Sequence, residues 1–459
     1  MPPAPRKPVG WSEGPSFPRF IQAGLAARLL SINPPRSILL RARHVVPVAS
    51  PVLPDGALRI AGNRLRWVGP WPDAQPGADE EVIDLGDAIL LPGLVNAHCH
   101  LDYTDLLGQL APPRTFPDWI KSILAAKSSW TEADFVRSWL HGARQLLDHG
   151  TTTVANIEAQ PHALALLRES TPLRIHSFLE LTGVRLRREP ASILDEAEAL
   201  LDSLPPHPGG VGISPHAPYS TVPELLRLSA EHARRRGWRL TTHLAESREE
   251  FDMFMYRRGP MYEWLRHQRP DDDCGQGSPI QHAARHGLLG PDFLAVHVNY
   301  LWDDDARLLA HHGTSVVHCP RSHAYFRHQR FPGQCLAAAG VNLCLGTDSL
   351  ASTRLGIGTR PELSLFAEMA ELAARDDTVD PAELVRRATL NGAIALGLDH
   401  ELGTLQPGLL ADLCAIPGRV GDADVHDAIV HHRGPVTTTW IGGAPAAHAP
   451  GSAITPQHA

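Results

Sequence analysis

Short apolar runs recur through the middle of the chain, and most of them end on polar residues. In order they read "LLPGLVNAHCH", "TTTVANI", "LRIHSFLEL", "GVGISPHA", "RLTTHLAE", "FLAVHVNY", "TSVVHCP" and "VNLCLGTDS". Each has the length of a buried strand. The stretches between them, such as "VPELLRLSAEHARRRG" and "PAELVRRATLNGAIALG", space their apolar residues as a helix does. Eight strands joined by helix-length connections predict an α/β fold, a (β/α)8 barrel over residues 91–400. Outside it the pattern shortens. Residues 37–90 carry "ILLRARHVV", "GALRIAGNRLRWVG" and "EEVIDLGDAILL", with Gly-Asn and Gly-Asp pairs as hairpin-type punctuation. Residues 401–447 carry "GTLQPGLLADLCAI" and "VTTTWIGGAPA". Two β-rich ends around one barrel predict a small composite β-sandwich domain built from both termini. Residues 1–36, proline-rich and aperiodic, predict a poorly ordered arm.

The polar residues at the strand ends carry the chemistry. Alternate side chains of a strand share a face, so His98 and His100 point the same way at the end of the first barrel strand. The fourth strand delivers His216, the fifth His243 and Glu246, the sixth His297 and the eighth Asp348. His98, His100, His243 and Asp348 are three nitrogen donors and one oxygen donor. That set suits one divalent ion, zinc first, with Fe2+ or Mn2+ able to use the same ligands. Water on such an ion has its pKa drawn toward neutrality and becomes a hydroxide nucleophile. Glu246 is spaced to pass a proton to a leaving nitrogen, and His297 to polarise the attacked atom. Asp348 is placed both to bind the ion and to take the proton of the water. A lone strand histidine in a chain with 26 of them is ordinarily a hydrogen-bonded core residue. Their coincidence at several strand ends of one barrel is what makes a site. Behind the first pair, Tyr103 and the Phe116–Trp119 segment either wall a flat ring substrate or pack their loop onto the barrel.

Composition narrows the partners. The 459 residues are 43% apolar and 20% charged, with 42 basic against 50 acidic side chains for a net charge of −8. That balance argues against a nucleic-acid or anionic-membrane surface and leaves a small-molecule substrate. No apolar run approaches the roughly 20 residues of a membrane span. "FIQAGLAARLL" is interrupted by Arg28 and follows a proline-rich head, so it is not read as a signal peptide. Six scattered cysteines suit reduced thiols in a cytoplasmic protein. Lysine occurs only at positions 7, 121 and 127.

The ordered motifs "GLVNAHCH", "SPHAPYS", "THLAES", "AVHVNYL", "HCPRS" and "LGTDS" resemble the amidohydrolase superfamily. Within it the chain is most similar to the branch of cytosine, guanine and adenosine-type deaminases and chlorohydrolases, over about Ser37–Ala446. The resemblance implies metal ligands at His98, His100, His243 and Asp348, a proton-shuttling Glu246, a substrate-polarising His297 and a substrate contact at His216. Homodimers are common in this branch. The segment after the seventh strand departs from the usual Cys-Pro-x-Ser-Asn and reads "HCPRSHAYF". Its Arg321 and His323 either meet a carboxylate or hydroxyls of the substrate or, for Arg321, form a salt bridge on the rim. Many binuclear relatives bridge two metals with a carbamylated lysine. No strand after the first can supply one here, which favours one metal, although Glu180 leaves a carboxylate bridge open.

The implied reaction is deamination of a ring amidine by metal-hydroxide attack with release of ammonia. Its substrate would be an aminopurine nucleoside or related heterocycle, including the adenosine-like intermediates of the futalosine menaquinone route. The alternatives on the same site are a chlorohydrolase, an N-alkylamine hydrolase and an imidazolonepropionase-like cyclic amide hydrolase. A barrel that had become a non-catalytic scaffold would be expected to have lost ligands or the shuttle, and all six positions are filled.

Overall fold

The computed structural model describes residues 37–111, 113–184, 188–356, 360–418, 421 and 424–446; the arm expected at 1–36 lies outside them. Five strands open the chain: β1 (Ile38–Val45), β2 (Leu53–Ala61), β3 (Arg64–Pro70), β4 (Glu81–Asp84) and β5 (Ala88–Pro92). Eight follow, β6 (Leu94–Cys99), β7 (Thr151–Glu158), β8 (Arg174–Leu181), β9 (Gly210–Pro215), β10 (Arg239–Leu244), β11 (Phe293–His297), β12 (Ser315–His318) and β13 (Leu343–Leu345). Three close it: β14 (Leu413–Pro417), β15 (Thr438–Ile441) and β16 (Ala444–Pro445).

The first and last groups share one sheet, ordered β16-β15-β14-β5-β1-β2-β3, with β4 also beside β1. The two ends of the chain meet where β14 pairs antiparallel with β5. The Gly62–Asn63 pair turns the β2–β3 hairpin as its chemistry predicts, with Gly62 at φ 64°. The Gly86–Asp87 pair does not make a hairpin. β4 and β5 both run parallel to β1, and the turn steps one extended segment along it.

The middle strands form an eight-stranded parallel barrel in sequence order, with a helix or helices between neighbours. Their residues are nearly all buried, as expected for strands covered on both faces. The run "LLPGLVNAHCH" is split between the two sheets. Pro92 ends β5, and Gly93 packs so closely that a Cβ there would lie 2.2 Å from the Thr152 side chain. β6 therefore starts at Leu94. The stretch "PAELVRRATLNGAIALG" is likewise two helices, Pro381–Arg387 and Leu390–Leu396, broken where the Thr389 hydroxyl bonds the Val385 carbonyl. Among the described residues no helix is long and apolar enough to cross a membrane, and all six cysteines are unpaired.

Closure joins β13 to β6 through the loop that follows β13. The amides of Thr347 and Asp348 donate to the His98 carbonyl at 3.0 and 3.1 Å, and the His100 amide donates to the Asp348 carbonyl at 3.2 Å. Asn96 pairs with Thr347, giving its amide to the hydroxyl at 2.8 Å and accepting from the backbone N–H at 3.1 Å. The strands approach so closely that a Cβ on Gly346 would lie 2.9 Å from both the Cβ and the carbonyl oxygen of His98. Gly346→Ala is expected to force this seam apart and cost about 1–3 kcal/mol of stability. A thermal melt coincident with that of the wild type would contradict the tightness assigned to the seam.

Candidate active site

Every strand-end residue singled out in the barrel arrives at its C-terminal mouth and is buried there, His216 only partly. One ligand atom from each of His98, His100 and His243 falls within 4.8 Å of the others, and the same holds for Glu246, His297 and Asp348. Asp348 joins the two groups, its Oδ1 lying 3.7 Å from Nε2 of both His98 and His100. His100 Nε2 and His243 Nε2 face each other at 3.2 Å. His243 Nδ1 lies 2.8 Å from the His216 carbonyl. A carbonyl only accepts, so Nδ1 carries the proton and Nε2 presents a lone pair. His98 Nε2 is buried without a hydrogen-bond partner.

Burial holds the imidazoles of His100, His243 and His297 well below their usual pKa, helped by neighbouring imidazoles. Neutral rings converging in this way on one carboxylate oxygen are the donor set of a cation site, and the residues fit a divalent metal. Burial would raise Asp348, yet the surrounding imidazoles of His98, His297 and His100 hold it well below the usual carboxylate range. Glu246 goes the other way. Burial, then the charges of Asp348 and Glu250, push it well above its usual value. Its Oε1 stands 3.5 Å from His297 Nε2. Two neighbouring carboxyls whose pKa values are pushed in opposite directions are an acid–base arrangement.

The backbone is strained at this mouth. Ala245, His297, Val298 and Asp348 all have positive φ, between 49° and 77°. Such conformations persist where the surroundings over-determine them. Here Asn299 gives its backbone N–H to Ala245 O and its side-chain amide to Glu246 O at 3.0 and 2.9 Å. Glu250, fully buried, accepts from the amides of Ala245 and Glu246 at 3.0 and 2.8 Å. It sits three residues after Ser247, whose hydroxyl caps the same helix. The Ser-x-x-Glu spacing of a capping box was the available signal for this residue.

Above the mouth opens a cavity of about 390 Å³. Part of its wall is α1 (Phe116–Lys127), capped by Thr115 and tethered by the Phe116 amide to Glu249 Oε1 at 3.0 Å. Ile120, Ile123, Leu124 and Lys127 follow the i, i+3, i+4, i+7 rule and all face the cavity, as does Trp119. Tyr103 lines it too, stacked on His100 at 5.3 Å between ring centres. His216 is on the wall, with Nδ1 2.6 Å from Ser220 Oγ. Glu180, Tyr219, Trp264 and Gln268 complete the enclosure. Lys127, Trp264 and Gln268 had not been singled out. Their signals lie in helix phase, in the Gly259–Leu265 helix and in the turn that follows it, far from any strand end.

Arg321 and His323 are not among the residues lining this cavity, and for Arg321 the structure shows the salt bridge that was its alternative reading. The Arg321 guanidinium pairs with Glu368 at 2.5 Å and with the Glu362 carbonyl at 2.9 Å, while its amide takes the second Glu368 oxygen. Glu368 is wholly buried, so this pair is structural. His323 is buried against His318 and His328.

Residues 89–445 match the amidohydrolase family. The chain belongs to that family. The 5-methylthioadenosine/S-adenosylhomocysteine deaminase of Moorella thermoacetica is 32% identical to it over 393 residues, covering 83% of this chain and 86% of the relative. The protein of the same name from Teredinibacter turnerae is 30% identical over 424 residues, covering 88% and 90%. Among solved structures, a zinc-bound adenosine deaminase from Xanthomonas campestris superposes with a TM-score of 0.77 at 26% identity, covering 90% of this chain and 93% of that one. This amidohydrolase is therefore an enzyme acting on carbon–nitrogen bonds other than peptide bonds, in a metal-dependent family.

Removing Arg321 leaves the Glu368 carboxyl buried and unpaired. Arg321→Ala is expected to cost about 3–5 kcal/mol in denaturant unfolding while leaving the KM of the folded enzyme unchanged. A selective rise in KM for acidic substrates at undiminished stability would return Arg321 to the substrate site.

Proposed function

We propose that this amidohydrolase is a mononuclear deaminase of adenine nucleosides bearing a substituent at the 5 position of the sugar, releasing ammonia and leaving a ring carbonyl. The observation that carries the reading is the convergence of three imidazole nitrogens and one carboxylate oxygen at the floor of a largely apolar cavity. His98, His100, His243 and Asp348 would hold the metal, and a three-nitrogen, one-oxygen set favours zinc over Fe2+ or Mn2+. When bound there, the metal supplies a Lewis acid that readies water for attack at neutral pH.

The remaining steps belong to side chains. Glu246, whose pKa burial raises, would give a proton to the ring nitrogen next to the amidine carbon. The carboxylate so formed takes one proton from the attacking water and hands it to the exocyclic amine, which departs as ammonia, and the hydroxyl proton left on the new oxygen returns to Glu246 as the ring carbonyl forms. His297, neutral and 3.5 Å from Glu246, would hydrogen-bond the oxygen as it forms on carbon. His216 and Tyr103 would border the purine, and Trp119 with the apolar face of α1 would cover the sugar substituent. The relatives' names, which join a thioether nucleoside to an amino-acid thioether, support a 5-substituted adenosine. A cavity that buries aliphatic and aromatic walls suits such a group.

The test is ammonia release by metal-loaded protein across aminopurines, their nucleosides, aminopyrimidines and pterins, beside a chelator-stripped control. Metal-dependent ammonia is expected from 5-substituted adenosines, and Glu246→Gln should lower kcat by about a hundredfold to ten-thousandfold. Halide, alkylamine or a ring-opened acid in place of ammonia would overturn the reading.

A further inference from the structure

Lys127 is the one lysine or arginine lining the cavity among the described residues. It ends the inward face of α1, seven residues after Ile120. Its ammonium donates a hydrogen bond to Tyr103 Oη and lies 4.4 Å from the centre of the Tyr103 ring. Tyr103 in turn is buried and stacked on His100, so the cation is anchored on the cavity wall. An ammonium has three donors, and the tyrosine takes one. Its field acts on Asp102 and Glu180, but neither carboxyl is bonded to it, and among the described residues it forms no ion pair. A lysine present only to complement the C-terminal dipole of α1 would extend into solvent. This one turns inward, onto a wall that is otherwise mostly apolar. Arg321, the other cation considered for an acidic substrate, is taken up by Glu368.

We propose that Lys127 is a specificity-determining residue that holds a carboxylate on the part of the substrate remote from the amine, so that acidic adenine nucleosides are preferred over neutral ones. The inference rests on the deaminase reading above and adds to it which nucleosides the cavity selects. A planar or tetrahedral anion would accept the two free ammonium donors, and Tyr103 would keep the chain extended toward it. Charge-assisted hydrogen bonds in a partly desolvated wall separate ligands by about tenfold to a hundredfold.

The two nucleosides that differ in this respect are S-adenosylhomocysteine, which carries a carboxylate, and 5-methylthioadenosine, which does not. Their kcat/KM values are to be measured on the wild type, Lys127→Met and Lys127→Arg. Binding of both is to be followed by calorimetry on Glu246→Gln protein with and without Lys127→Met. The wild type is expected to favour the acid, Lys127→Met to lower the acid-to-neutral ratio by about tenfold or more in turnover and in binding, and Lys127→Arg to keep most of it. Equal losses on both nucleosides, or an unchanged ratio, with deamination intact, would overturn the role of Lys127 alone. Failure of the wild type to deaminate either, with no binding to the Glu246→Gln protein, would overturn the deaminase reading and this inference with it.

Discussion

The barrel closes on its own active site. The contact that joins the last strand to the first is the exchange of backbone hydrogen bonds among His98, His100, Thr347 and Asp348, and three of these four residues carry the converging donor side chains of the candidate site. A shift of β13 against β6 would therefore open the core and separate the donors in one movement. Gly346 lets the chains approach, Asn96 and Thr347 lock the register with paired side-chain bonds, and Asp348 adopts a left-handed backbone to bring its carboxylate inward. Packing energy spread over the buried strands thus sustains a local strain that an isolated turn would release.

Burial then sets the chemistry. The same desolvation lowers the pKa of the imidazoles, leaving lone pairs available, and raises that of the Glu246 carboxyl. Asp348 escapes it because imidazoles surround it. The site so combines a cluster of converging donor atoms and a carboxyl of raised pKa within one set of strand ends. Glu250 and Asn299, which do not themselves line the cavity, fix the loop that carries Glu246. The cavity above is divided in character, titratable at the floor and apolar along α1, with one cation set into the apolar wall.

Much of this was readable along the chain, and the reasons are specific. Strand-length apolar runs ending in His98, His100, His243, His297 and Asp348 declare both the barrel and the face its chemistry occupies, because a parallel barrel buries its strands and exposes their C-terminal ends. Features that depend on a distant partner were not readable. The Gly86–Asp87 turn has hairpin chemistry, but its strands both pair with β1, about 40 residues earlier. Arg321 looks like an anion ligand until Glu368 is seen beside it. Lys127 looks like a surface residue at the end of a helix, since only the docking of α1 over the barrel mouth turns its face inward. Local pattern declares elements and strand-end chemistry, whereas tertiary docking decides which long side chains at the rim serve the substrate.

The central claim is that His98, His100, His243 and Asp348 form one metal centre. Elemental analysis of the purified protein after gel filtration tests it most directly, with the wild type compared to His243→Ala and Asp348→Asn. The account predicts about one equivalent of divalent metal per chain in the wild type, zinc foremost, and its loss from both variants while they remain folded. Two equivalents, or full retention of one equivalent by either variant, would contradict it.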